Sequence, residues 1–298
     1  MRWVPARVEA TWMDDVWREG ARRLDVEPDG APVPSASGNV IGGRVSHRGG
    51  TAWLRVAPFL ENAMDLEPWQ GTRDAGALTG ICKPALLASA QWTRPDPVPV
   101  PVSAELLTYV ADSPATPGDQ FLTGPLDLPP TWLADLRTSL DALAAQPTAR
   151  EIWGNRPERY RCLLDAVYSR PLPAGIAPRW GCTEHLDLHW GNVTVPRLVI
   201  LDWEHWGRNV AGYGAARLYC TALAAPEVAA QIHAAFADLL DGPSGRYALL
   251  VAAADILVTV AWYEAAPGLC PALHRLADAL LTGEPAPIRG RERAGSPH

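Results

Sequence analysis

The stretch Thr183-Glu184-His185-Leu186-Asp187-Leu188-His189-Trp190-Gly191-Asn192-Val193, followed by Leu198-Val199-Ile200-Leu201-Asp202-Trp203-Glu204, concentrates the chemistry of this chain. From His185 to Asn192 it packs two histidines, an aspartate and an asparagine into eight residues. The second run reads as an apolar strand that ends in an acid. Phosphoryl transfer asks a protein mostly for positioning and charge neutralisation. It needs a carboxylate to take the hydroxyl proton, and oxygen ligands to hold Mg2+ against nucleotide phosphates. Asp187 suits the first task, and Asn192 and Asp202 the second. A loop and a short hairpin would return Asp202 to Asn192. The alternation of His185, Asp187 and His189 admits another chemistry. On a strand these three would share one face, and His205 or Asp202 could complete the zinc site of a metallohydrolase. That arrangement leaves Gly191, Asn192 and the acid-ended strand without a purpose.

Upstream of this segment the pattern is strand-rich. Runs 40–47 and 51–58 flank Arg48-Gly49-Gly50, a hairpin signal, and 98–102 and 104–110 read as further strands. An amphipathic helix over 8–24 precedes them, with Trp12, Met13, Val16, Trp17, Ala21 and Leu24 on one stripe, and 69–80 reads as a short helix. Downstream of Asp112 helices take over. The sequence predicts them at 132–145, at 157–168, and through most of 216–281, broken at Pro226, Gly242-Pro243 and Pro267. Strands first and helices later is the signature of an α+β chain with two lobes. The expected division is an N-terminal lobe over 1–112, a helical lobe over 113–283 carrying the catalytic segment, and a disordered Pro/Gly/Arg-rich tail over 284–298.

Composition narrows the function classes. The 298 residues carry a formal net charge of −7, which argues against a basic surface for nucleic acid. Five cysteines lie far apart with no CxxC pair, so neither a disulfide framework nor a zinc knuckle is expected. The first twenty residues lack an apolar leader core. The apolar run 247–262 is short for a bilayer and contains Asp255. The expectation is a cytoplasmic protein with neither nucleic acid nor membrane as partner. No GxxxxGK[ST] or GxSxG motif occurs. Lys83 is the single lysine among 26 basic residues, an arginine bias that fits a GC-rich genome.

The spacing of His185, Asp187 and Asn192, H-x-D-x-x-x-x-N, followed by Asp202-Trp203-Glu204 closing an apolar run, resembles the aminoglycoside-phosphotransferase-like kinases, relatives of the protein kinases. The resemblance covers about residues 35–281. It implies a bilobal protein-kinase-like fold, with a small strand-rich N-lobe, a larger helical C-lobe, and ATP or GTP with Mg2+ held between them. It implies Asp187 as catalytic base, His185 as a structural member of the catalytic loop, and Asn192 and Asp202 as Mg2+ ligands. It sets Arg55, in Trp53-Leu54-Arg55-Val56, where the family has a phosphate-gripping lysine, and Asp74 where an acid often pairs with that lysine. Lys83 is the alternative phosphate contact. Ser37, Gly38 and Asn39 lie in the turn whose N–H groups would face the phosphates. Trp190 and Glu204 are candidates for contact with the acceptor. Two positions depart from the family pattern. Leu186 replaces a usual glycine, and Gly214 stands where an aspartate commonly braces the catalytic loop.

The implied activity is transfer of a γ-phosphoryl group to a hydroxyl of a small molecule such as an antibiotic, sugar or nucleoside, or of a biosynthetic peptide. A partner protein would fit a biosynthetic setting. The departures at Arg55 and Gly214 also allow a kinase-like nucleotide-binding partner subunit without turnover. Between Glu204 and Glu284 eight acids face four arginines, a surplus too mild to favour a strongly cationic acceptor.

Overall fold

A computed structural model describes residues 10–35, 38–59, 66–95, 99–263 and 268–283. The expected tail, 284–298, lies outside the described residues, as does Ser37. The chain forms two compact units. One takes residues up to Leu78 together with Lys83–Ala111 and Leu201–His205. The other takes Thr79–Cys82, Asp112–Ile200 and the chain from Trp206 onward. The motif is therefore split, because its loop belongs to the second unit and its Asp-Trp-Glu segment to the first.

The first unit contains α1 (Ala10–Arg23), β1 (Glu27–Pro28), β2 (Val33–Pro34), β3 (Ile41–His47), β4 (Gly50–Pro58), α2 (Leu66–Asp74), β5 (Leu86–Arg94) and β6 (Val100–Thr108). The strands form an antiparallel sheet in the order β1-β3-β4-β6-β5, with β2 also pairing β3. The stripe read on α1 is the one it buries. Met13, Val16, Trp17 and Ala21 pack on Ile41, Val45, Leu54, Val56, Val102, Ala104 and Leu106. Each such fully buried large side chain stabilises by roughly 1.5–3 kcal/mol. The Trp17 indole meets its polar need by donating to the Leu54 carbonyl at 3.0 Å. Side chains alternate along a strand, so Arg55 lies out of phase with Leu54 and Val56 on β4, away from the α1 face.

Two strand expectations are corrected here. Val100–Thr108 is one continuous strand, β6, where two were expected at 98–102 and 104–110; residue 98 lies outside the described residues. The sequence also gave no sign of β5, whose edge position leaves its residues alternately half-buried and exposed, with small and polar side chains that carry little apolar signal.

The second unit contains β7 (Ser113–Pro114), α3 (Pro130–Ala144), α4 (Pro157–Tyr168), β8 (Trp180–His185), β9 (Thr194–Val195), β10 (Trp206–Val210), α5 (Tyr213–Cys220), α6 (Pro226–Ala235), α7 (Ala237–Leu240), α8 (Pro243–Tyr263) and α9 (Cys270–Thr282). Pro130, Pro157, Pro226 and Pro243 each open a helix, where a missing N–H costs nothing. Breaks fall at Pro226 and Gly242-Pro243 as expected, and a further break at Phe236 separates α6 from α7 without a proline. Pro267 lies outside the described residues. α8 packs with α4, α5, α7 and α9. By length and composition α8 is long and apolar enough to cross a membrane, contrary to the shorter run read from the sequence; 67% of that window is buried inside the protein, as in a core helix. Short ladders join β8 to β10 and β7 to β9. Among the described residues the mixed α+β class holds, with strands concentrated in the first unit and helices in the second.

Candidate active site

In the second unit, β8 delivers the motif. His185, its last residue, is fully buried and opposes Trp206 of β10. Its Nδ1 accepts the Asp187 backbone N–H at 3.3 Å, which tightens the turn. His189 then caps a single 3-10 turn over Trp190–Asn192 by accepting the Gly191 N–H at 3.1 Å. Asn192 Nδ2 donates back to the Asp187 carbonyl at 3.0 Å. A carbonyl can only accept, so this bond orients the amide and leaves Oδ1 as the oxygen the loop can offer a ligand. Asp187 and Asn192 are thus brought together by the loop's own bonds.

The chain leaves this loop through a hairpin. Val193 bridges Ile200, the Thr194 N–H reaches the Val199 carbonyl at 3.1 Å, and Thr194 Oγ1 accepts the Val199 N–H at 2.8 Å. The chain therefore turns back over 193–200. Residues 198–201 show one isolated bridge, with the Ile200 N–H bonded to the Cys82 carbonyl at 2.7 Å, and are not the strand their apolar run suggested.

The Asp187 carboxylate is about one-third exposed, and Arg217 of α5 holds it by donating to Oδ1 at 3.0 Å. The same guanidinium donates to Asp255 of α8 at 2.6 Å and to Gln120 at 3.3 Å. Burial alone would pull the Arg217 proton away, but Asp187, Tyr213 and Asp255 hold it on, above the ordinary arginine range. Arg217 lies outside the spacing of the motif. Its sole hint was a charge inside the apolar run Tyr213–Cys220, which needs a partner when buried.

A residue that sequence reasoning passed over stands just before His185. Glu184 is buried on β8, and its two carboxylate oxygens accept the N–H groups of Gly212 at 2.7 Å and Gly214 at 3.1 Å. Burial pushes its pKa from an ordinary 4.5 to about 7, against the downward pull of these two bonds and of Arg179. Between those values the folded protein keeps a proton that the unfolded chain releases. The associated stability is full below about pH 4.5 and is lost as pH rises through about 7. Urea midpoints should thus fall more steeply from pH 4.5 to 7.5 in wild type than in Glu184→Gln. Parallel slopes in the two proteins would show that Glu184 does not titrate there.

Trp190 is corrected from acceptor wall to core. It is fully buried, stacks on Trp132 at 5.8 Å, and donates to the Leu218 carbonyl at 3.2 Å. The zinc arrangement is also corrected. Residues 186–189 are not a strand, and among the described residues no group of three His, Cys, Asp or Glu side chains is placed to hold a metal ion.

In the first unit, Arg55 of β4 directly opposes Glu105 of β6 in the ladder and donates to it at 2.8 Å. Its other terminal nitrogen donates to Glu204. Burial opposes the Arg55 charge, while Glu204 and Glu105 more than restore it and hold its pKa above the ordinary range. The acids beside Arg55 are therefore Glu105 and Glu204, and not Asp74, which pairs with its neighbour Arg73 at 3.1 Å. Glu105 went unread because only strand register brings it across from Arg55, fifty residues away. Glu204 is occupied by Arg55 instead of being offered to an acceptor.

Asp202, two residues before Glu204, adopts a left-handed backbone with φ of 55°, a conformation that aspartate tolerates better than most residues. Gly71 of α2 backs onto this segment so closely that a Cβ there would overlap the Trp203 and Glu204 carbonyls. In the turn between β2 and β3, the Gly38 N–H is spent on the Ser35 carbonyl at 2.9 Å and the Val40 N–H on Ser35 Oγ at 3.3 Å; Asn39 lies between them. Lys83 is half-buried, which lowers its pKa.

No family model matches the chain, and no curated protein matches it. Solved structures do. One is a thermostable mutant of aminoglycoside phosphotransferase APH(4)-Ia in ternary complex with ADP and hygromycin B. It aligns with a TM-score of 0.55 at 14% identity, over 90% of this chain and 98% of that one. Another is amicoumacin kinase hAmiN in complex with AMP-PNP, Ca2+ and Ami, with a TM-score of 0.53 at 11% identity, over 94% of this chain and 95% of that one. At such identities the likeness is one of fold. The chain has the fold of the aminoglycoside-phosphotransferase-like, protein-kinase-like kinases.

Proposed function

We propose that this protein is a kinase of small molecules, moving the γ-phosphoryl group of ATP or GTP to an acceptor hydroxyl. The observation that carries the reading is the loop 185–192, which holds an accessible carboxylate and an amide oxygen together within the fold of antibiotic-modifying kinases. Asp187 orients the acceptor hydroxyl and takes its proton. Arg217 holds one carboxylate oxygen, so the group keeps a single rotamer while the acceptor approaches. His185 and His189 keep the loop closed.

The donor set suits a hard cation. Asn192 Oδ1 is freed by the amide orientation, and the sequence pattern pairs it with the Asp202 carboxylate, both oxygen ligands of the kind Mg2+ takes. Bound there, Mg2+ would neutralise charge on the nucleotide phosphates. Arg55 steadies the Asp202-Trp203-Glu204 segment through Glu204, and Lys83 is the remaining candidate for direct phosphate contact.

Acidic side chains of the helical unit support an acceptor that is neutral or weakly charged. Asp238 pairs with Arg137 and Asp278 with Arg170, two arginines outside the four counted between Glu204 and Glu284, so part of the acid surplus is already compensated. An antibiotic, sugar or nucleoside hydroxyl fits this better than a dense polycation.

Thermal-shift titration with ATP and GTP, with and without Mg2+, tests the reading. At a hundredfold excess over its Kd the nucleotide should add about 2.7 kcal/mol, and Asp202→Asn should remove most of the Mg2+-dependent part. No shift with either nucleotide would overturn it.

A further inference from the structure

α5 has no capping side chain of its own. Its N-cap is Gly212, and two of the N–H groups of its first turn, on Gly212 and Gly214, are instead met by Glu184, from a different element. Capping a helix does not require this expense. A serine or asparagine N-cap commonly does this locally. Gly212, however, has a left-handed φ of 88°, and a Cβ there would lie 3.0 Å from Leu239 Cγ. The cap comes instead from Glu184, a buried carboxylate on the strand that ends in His185. What the long-range bond adds is a tie between β8 and α5 at the root of the loop 185–192. Three residues beyond Gly214, on the same helix face, Arg217 bonds the Asp187 carboxylate at 3.0 Å. α5 thus meets the loop twice, once through Glu184 at its base and once through Asp187 at its reacting group.

Space at position 214 points the same way. A Cβ on Gly214 would lie 3.3 Å from the His185 carbonyl and 3.4 Å from Glu184 Oε2. A side chain there would press on both loop and carboxylate, so Glu184 and a bare position 214 belong together. We propose that Glu184 is a positioning residue that braces the loop 185–192 against α5, supplying from the loop side the carboxylate that related kinases carry at position 214. The proposal rests on the phosphotransferase reading above for the loop's catalytic role, while the brace itself is a structural claim.

The full-length chain carrying Glu184→Gln, Glu184→Ala, or Glu184→Ala with Gly214→Asp separates the two. Glu184→Gln keeps the volume but turns an amide donor toward one of the two N–H groups. Its kcat should fall by about 10- to 100-fold, the scale of a small misplacement of reacting groups, with KM for Mg2+-nucleotide changed by less than about twofold. Amide exchange should quicken at 186–192 while α8 stays protected. The double variant should recover loop protection and most of kcat relative to Glu184→Ala. Wild-type kcat in Glu184→Gln and Glu184→Ala would overturn the brace. So would exchange that rises equally in α8, or a double variant no better than Glu184→Ala. If wild type transfers no phosphate to any acceptor, yet loop protection is lost in Glu184→Ala and regained in the double variant, the brace stands and the phosphotransferase reading falls.

Discussion

Asp187→Asn is expected to lower phosphoryl transfer by about 10³-fold, within the 10²–10⁴ span of general-base contributions, with Mg2+-nucleotide affinity nearly unchanged. The geometry makes this substitution clean. An asparagine oxygen can still accept from Arg217, whose second carboxylate, Asp255, remains in place at 2.6 Å. The backbone bonds of the loop, from Asp187 N–H to His185 and from Asn192 to the Asp187 carbonyl, do not involve the carboxylate. Fold and nucleotide binding should therefore survive, and what disappears is the capacity to take the hydroxyl proton. Steady-state kinetics beside a nucleotide titration measure the two separately. Activity above a tenth of wild type would place the base elsewhere.

Arg55→Ala carries the largest expected cost in stability. Arg55 bridges two carboxylates at once, and the Glu105 side chain is wholly inaccessible to solvent. Removing the guanidinium takes the cation from both acids and leaves the buried Glu105 charge against the Ser103 hydroxyl, and breaking a buried pair in this way costs about 3–5 kcal/mol. Urea unfolding at pH 7.5 reads the loss, and adding Glu105→Gln should return part of it, because the stranded charge is then gone. A change below about 1 kcal/mol, the size of an exposed ion pair, would mean that water reaches the triad. The same variant bears on nucleotide binding. Because Arg55 acts through Glu204, folded Arg55→Ala should lose Mg2+-dependent nucleotide affinity, and undiminished affinity would show that the 202–204 segment holds without it.

Much of the second unit could be read residue by residue. Prolines that open α3, α4, α6 and α8 act through their own missing N–H, and the role proposed for the loop rests on the types and spacing of His185, Asp187 and Asn192. Reading failed where burial or register decided. Trp190 sits inside the motif and looked available to an acceptor, yet it stacks on Trp132 in the core. β5 was missed because an edge strand whose one face is only half-buried and whose other is exposed mixes Leu86, Leu87 and Trp92 with small and polar residues, with no clean alternation of polarity.

The sequence by itself determined where prolines open helices, the apolar face of α1, and the order of strand-rich before helical. These are local properties, written in spacing, proline placement and side-chain chemistry. Tertiary structure alone decided which charges meet. Arg55 finds Glu105 through the β4–β6 register, Asp187 finds Arg217 thirty residues on, and Glu184 finds the two N–H groups at the head of α5. A buried charge must be paired, and chemistry fixes that requirement, but the partner is whichever group the packed chain brings within hydrogen-bond distance.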